Sequence, residues 1–266
     1  AKIMWMLYEH PDADFNDMAM RFSDIRKRIY TFPHMGEKAY FIATPTTAGT
    51  GSETTIAAVI TDPETHHKYA IMDLCLVPKY AILDPELTRD LPQKTTSTTG
   101  MDALTHAVEA YVCWTYNTKE SIRLAEEATV AIFKYLERAY NDGNDMEARQ
   151  QMLTAAFKAG FAFTRAGVGN VHAIAHNLGG FYGVPHGLAN AIILPYVLDF
   201  YGDTAYERLA RLCECAGVAK AGQSDEQKAL DFIQAIRDMN ARMNIPDKID
   251  KIQEKDIETI AKRACK

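Results

Sequence analysis

The sequence predicts an α/β segment followed by an all-α domain, and three observations carry that prediction. Residues 39–92 hold short apolar runs, AYFIATP, IAAVITD and YAILDPEL, broken by threonine, glycine and proline turns. From about residue 96 onward, apolar residues recur at three-to-four spacing, segment after segment. Composition shifts at Leu91–Pro92, so the expected boundary divides residues 1–92 from 93–266.

Taken in order, residues 1–32 read as helices: AKIMWMLYEH, a break at HPDADF, then DFNDMAMRFSDIRKRIY. AYFIATP predicts a buried strand ending in a polar loop, IAAVITD a second strand and YAILDPEL a third. Helices are expected at 100–115, 119–141, 146–166, 170–179, 187–200, 205–216, 226–243 and 255–264. Asp145 or Asn144 should cap the helix beginning MEARQQML, and Ser224 the one beginning DEQKALDFI. There is no internal repeat and no low-complexity linker.

Composition narrows the function classes. With 266 residues, 47% of them hydrophobic, the chain can fill one large domain or two ordinary ones. Net charge is −6 and no basic patch stands out, which argues against nucleic acid or an anionic membrane as partner. No apolar run reaches the ~18–20 residues of a bilayer span, and no signal-like segment opens the sequence. The five cysteines (Cys75, Cys113, Cys213, Cys215 and Cys265) lack zinc or disulfide spacing, so a reducing cytoplasm is expected. Cys213 and Cys215 read as ordinary packing residues.

The chemistry concentrates in GMDALTHAVEAY (100–111) and GNVHAIAHNLGGFYGVPHGLAN (169–190), which hold four of the eight histidines. Asp102/His106 and His172/His176 are i, i+4 pairs, so each pair shares a helix face. With His186 they offer the mixed N/O donors that suit a first-row divalent metal. Spacing alone does not choose between His172 and His176. A lone buried histidine is usually only hydrogen-bonded, but this combination is hard to credit to packing. Asp102 buried on an apolar helix would be expensive without a cation. Glu109, one turn past His106, reads equally as a supporting partner or a surface glutamate. His186 should open a helix, placed there by the glycine-rich GGFYGVP, with Gly187 permitting close backbone approach.

The loop TPTTAGTGSE (44–53) has the glycines and small hydroxyls that let backbone approach a phosphate or a nicotinamide edge, although such residues also build ordinary turns. His66 and His67 are adjacent and read as surface turn residues. Phe161, Phe163, Trp114 and Phe181 are candidates for a small apolar pocket, with core packing the expected role of each.

These segments, together with ITDPETHHKYA (60–70), ILDPELTRDLP (82–92) and IRKRIYTFP (25–33), resemble the iron-containing (group III) alcohol dehydrogenases in the same order. IRKRIYTFP is especially similar to the alcohol dehydrogenase part of aldehyde–alcohol dehydrogenases. The resemblance runs from about residue 1 to about residue 250 and implies a dehydroquinate synthase-like architecture. Residues 1–92 would be a partial dinucleotide-binding domain, and 93–266 a helical, metal-binding catalytic domain. The first strands and the GGGS turn of that family are missing, and the sequence opens at Ala1 without an initiator methionine, so a fragment of a longer enzyme is expected.

By resemblance, Asp102, His106, His172 and His186 hold Fe(2+), with Zn(2+) possible. His176 lies beside the metal as the catalytic candidate, and Thr46, Thr47, Thr55 and Lys68 meet NAD or NADP. The implied reaction interconverts a primary alcohol or small diol and its aldehyde, in a cytoplasmic homo-oligomer. A zinc-dependent glycerol or polyol dehydrogenase and an inactive fragment acting as an assembly module are the alternatives. A metal-dependent hydrolase leaves TTAGTGS unexplained.

Overall fold

The structure, a computed structural model, describes residues 1–19, 30–61 and 68–265. Most of the helix expected across 20–32, together with His66 and His67, lies outside the described residues. α1 (Lys2–Glu9) is followed by a turn at Pro11 and by α2 (Phe15–Met18), whose Asp14 cap accepts from the Asn16 amide at 2.7 Å. Residues 30–32 are not helical, contrary to expectation. Pro33 disfavours helical backbone at Phe32, and Tyr30 instead meets Phe32 edge-to-face at 5.0 Å.

Strand pairing is sparse. β1 (Ile42–Ala43) pairs in parallel with β4 (Tyr80–Ala81), and β2 (Ala57–Thr61) pairs antiparallel with β3 (Lys68–Met72). The expected buried strand AYFIATP contracts to two residues, with Tyr40 69% and Ile42 51% exposed. A parallel strand is normally covered on both faces, and a two-stranded pair provides no such cover among the described residues. YAILDPEL likewise keeps only Tyr80–Ala81 as strand before Asp84 caps a 3₁₀ turn, Pro85–Thr88. β3 was not foreseen, because the sequence DPETHH between it and its partner β2 carries no compact hairpin signal.

The second part is helical throughout. α3 (Gln93–Val112) begins seven residues before the expected 100, running through the threonine-rich QKTTSTT. That segment is a poor helix former on propensity, but its hydroxyls bond back to carbonyls one turn earlier: Thr98 to Lys94 and Thr99 to Thr95, each at 2.8 Å. α4 (Lys119–Asn141) opens on a Thr118/Ser121 capping box, and α5 (Met146–Ala166) on Asp145, which accepts from the Ala148 amide. α6 (Asn170–Tyr182) stops at Gly183, whose φ of 62° suits glycine. α7 (His186–Tyr201), α8 (Tyr206–Cys215), α9 (Asp225–Arg242) and α10 (Glu254–Ala264) complete the order, with Ser224 capping α9.

One continuous core joins these helices, with Met101, Leu104, Ile132, Leu136, Met152 and Leu194 fully or almost fully buried. A separate small core of Met6, Met18, Ile71 and Leu76 serves the first part. α10 leans on α6, where the Tyr182 hydroxyl donates to Asp256 at 2.7 Å and Arg263 covers Phe181. The packing role expected of Phe161 and Trp114 fails. Phe161 is 47% exposed because α5 buries 155, 156, 159, 162 and 166, a stripe that excludes it. Trp114 lies beyond the end of α3 and is capped by the Arg208 guanidinium at 4.0 Å. All five cysteines are free, with Cys213 buried. Among the described residues no helix is long and apolar enough to cross a membrane.

Candidate metal centre

α3 is buried over most of its length, so its polar residues enter the core only with partners. Asp102, His106 and Glu109 are each at least 95% buried. α6 supplies His172 near its first turn, and α7 begins at His186. A Cβ at Gly187 would sit 2.4 Å from the Thr98 carbonyl oxygen, so only glycine lets the start of α7 lie against α3. That approach brings His186 to Asp102: its Nε2 is 3.6 Å from Asp102 Oδ1, and His172 Nε2 is 3.7 Å from the same oxygen. Asp102, His172 and His186 present ligand atoms that all lie within 4.8 Å of one another.

The other two candidates join the cluster by their ring faces. His106 is sandwiched between His172 (centroids 4.5 Å apart) and Phe163 (4.2 Å). His106 Nδ1 is buried without a hydrogen bond. His176 is half-buried, stacked on His186 at 5.1 Å and edge-on to His172 at 6.0 Å. Of the two histidines that spacing left open, His172, not His176, converges with Asp102 and His186.

Two supporting residues complete the arrangement. Glu109 is no surface glutamate: its Oε1 accepts from the Val171 amide at 2.7 Å and its Oε2 from His172 Nδ1 at 2.5 Å. Asn190, fully buried and unforeseen, stands one turn after His186 on α7. Its Nδ2 donates to Asp102 Oδ1 at 2.6 Å and lies 3.1 Å from His172 Nε2 and 3.2 Å from His186 Nε2, while its Oδ1 is buried without a partner. The i, i+4 spacing from His186 was the sequence signal that could have found it.

The electrostatics favour a cation. Burial alone would raise the Asp102 carboxyl, but the imidazoles of His106, His186 and His172 and the Asn190 amide outweigh it and hold it below the usual range. Burial pushes His106 down to about 3, against the pull of Asp102, so its ring is neutral and its nitrogens are available as donors to a metal. Burial would likewise raise Glu109, but its bond to His172, with the amides of Gly169 and Val171, keeps it low. His172 is lifted because Glu109 and Asp102 together outweigh its burial. A buried carboxylate among three imidazoles, with an orphaned imidazole nitrogen, fits a divalent first-row metal.

The glycine–threonine loop is seated on the same helices. A Cβ at Gly49 would meet the Thr99 carbonyl at 2.7 Å, and one at Gly51 would meet Gly160 Cα at 2.6 Å. Thr99 is three residues before Asp102, and Gly160 three before Phe163, which stacks on His106. Within the loop Thr46 is exposed and Thr47 half-buried. Thr55 lies beneath: Lys2 Nζ donates to its hydroxyl at 2.9 Å, to its carbonyl, and to the Ala57 carbonyl at 3.1 Å. Burial lowers Lys2 to about 8, with Glu53 pulling the other way. Lys68 opens β3, and its side chain lies outside the described residues.

Comparisons with known proteins point to one family. Residues 1–85 match the family model for iron-containing alcohol dehydrogenase, and residues 96–266 the C-terminal model of the Fe-containing alcohol dehydrogenase family. The chain is 48% identical over 202 residues to aldehyde-alcohol dehydrogenase 2 of Entamoeba histolytica, covering 76% of this chain and 23% of that protein. It is 41% identical over 246 residues to the NADPH-dependent butanol dehydrogenase of Clostridium saccharobutylicum, covering 92% of this chain and 60% of that one. The solved alcohol dehydrogenase from Oenococcus oeni superposes with a TM-score of 0.89 at 33% identity, over 99% of this chain and 66% of that one. The chain thus spans between about a quarter and two thirds of the length of these relatives.

Proposed function

We propose that this chain, which belongs to the iron-containing alcohol dehydrogenase family, supplies the metal-dependent half of an NAD(P)-linked interconversion of a primary alcohol or small diol and its aldehyde. The observation that carries the reading is the convergence of Asp102, His172 and His186, with His106 stacked behind them, beside a loop built on the same helices. In this reading Asp102, His106, His172 and His186 hold the metal, iron by family and zinc by donor chemistry. When bound, the metal supplies a Lewis acid for the alcohol oxygen and the nicotinamide an acceptor for hydride.

The chain's own residues then position and protect. His176, half-buried against His186, handles the substrate proton at the edge of the cluster. Thr46, Thr47, Thr55 and Lys68 are assigned to the cofactor in this reading, with Thr55 also tied to Lys2 beneath the loop. Residues 1–92 carry the dinucleotide-facing surface and 93–266 the metal. The five free cysteines are in keeping with a reducing cytoplasm, and a homo-oligomer completes the proposal.

The test is metal content and turnover of the full chain, purified without oxygen and offered Fe(II) or Zn(II), beside His172→Ala. The reading expects about one metal per chain, lost in the variant, and oxidation of NADH or NADPH with butanal. The absence of both stoichiometric metal and turnover would sink it. His176→Ala should keep the metal and lose turnover; unchanged turnover rejects its assigned role.

A further inference from the structure

We propose that Glu109 is a positioning residue that fixes His172 as its Nδ1–H tautomer, so that the Nε2 lone pair points at Asp102 and His186. This rests on the metal-site reading above and deepens it. A carboxylate offers acceptors and no donor. Both oxygens of Glu109 are engaged, Oε1 by the Val171 amide at 2.7 Å and Oε2 by His172 Nδ1 at 2.5 Å, so the hydrogen of the neutral ring must sit on Nδ1.

The far side of the ring agrees independently. Asn190 Nδ2 is fixed toward Asp102 Oδ1 at 2.6 Å, because the amide oxygen there would face a carboxylate. The same Nδ2 approaches His172 Nε2 at 3.1 Å, and a donor tolerates there only a lone pair. His172 is thus clamped between an acceptor on Nδ1 and a donor on Nε2. Gly169 leaves the carboxylate room: a Cβ there would lie 3.0 Å from Glu109 Oε1, close enough to displace it by a few tenths of an ångström. A histidine ligand whose second nitrogen is held by a carboxylate is oriented before the metal arrives, and loss of such a partner typically weakens metal binding by about 10–100-fold.

Glu109→Gln separates this role from mere bulk. The glutamine has the same shape but only one oxygen. With that oxygen on the Val171 amide, its NH2 faces His172 Nδ1 and drives the hydrogen to Nε2. Nitrogen-15 spectra of metal-free protein, at a pH where the ring is neutral, report the tautomer directly; Zn(II) titration reports affinity, and thermal unfolding controls for folding. The expected result is Nδ1–H in the parent chain, a shift toward Nε2–H in Glu109→Gln, and a Zn(II) Kd weakened by about 10–100-fold. An unchanged tautomer, or a Kd within about twofold of the parent, overturns the assignment. Should Glu109→Gln unfold, Gly169→Ala, which crowds the carboxylate without removing it, must also weaken Zn(II) binding. If the parent binds no Zn(II) at all, the metal-site reading fails, while the metal-free tautomer still decides the role of Glu109.

Discussion

The two parts of the chain bury their residues very differently. From α3 onward one large core runs through the helices, and it admits Asp102, His106, Glu109, His172 and Asn190 only as members of one bonded and stacked network. Before α3 the described core is four residues, while Met4, Tyr8, Tyr40, Leu74 and Tyr80 are all more than half exposed. The difference teaches that the candidate metal site rests on the larger, helical core. The glycine–threonine loop is held chiefly by leaning on that bundle at Gly49 and Gly51.

The sharpest way to break that comparison is a matched pair of deletions in the two cores. Leu104 and Leu76 are both fully buried. Leu104→Ala, inside the continuous core, should cost about 4 kcal/mol, and Leu76→Ala, in a small cluster free to collapse, about 2 kcal/mol. Chemical denaturation measures both, and equal losses would dissolve the distinction.

Next in size is the seam between the parts. A Cβ on Gly160 would lie 2.5 Å from Thr54 Oγ1 and 2.7 Å from the Gly51 carbonyl. Gly160→Ala should therefore cost about 3 kcal/mol and raise hydrogen exchange across residues 46–55 while leaving α6 and α7 protected. Uniform exchange across the chain would show that loop and bundle open as one unit.

Lys2 tests the first part by pH. Its amine titrates near 8 in the fold, against 10.5 for a free lysine. Between these values the unfolded chain binds the extra proton, so stability rises with pH across that window, and the burial penalty is fully present below it. Relative to Lys2→Met, the parent should gain up to about 3 kcal/mol between pH 8 and 10.5. A flat difference would mean that the three carbonyl and hydroxyl acceptors fully offset the burial.

The smallest effect belongs to the brace on α6. Tyr182→Phe removes the bond to Asp256 and should cost about 1 kcal/mol, read as a fall in Tm with Zn(II) affinity unchanged. A change in affinity would make α10 part of the site's support.

Much of this was legible beforehand. Helices 119–141 and 146–166 carry strong apolar periodicity, the second with Asp145 at its start, and they form with those bounds. The i, i+4 pairs placed the candidate residues on helix faces because that spacing follows from the helix itself. Strand ends and the start of α3 were not legible. Strand pairing is non-local, and QKTTSTT becomes helix only where neighbouring helices bury its threonines and its hydroxyls bond back to carbonyls.

By itself the sequence determined the helix faces, the caps at Asp145 and Ser224, the candidate donors and the glycine–threonine loop, all properties of residues near one another in the chain. Tertiary structure alone decided which histidine turns toward Asp102, that Glu109 clasps it from behind, and that Asn190 reaches across three candidate ligand atoms. Those choices depend on how closely α6 and α7 approach α3. That distance is set by packing, at α7 through the absence of a side chain at Gly187, and no local pattern of residues encodes it.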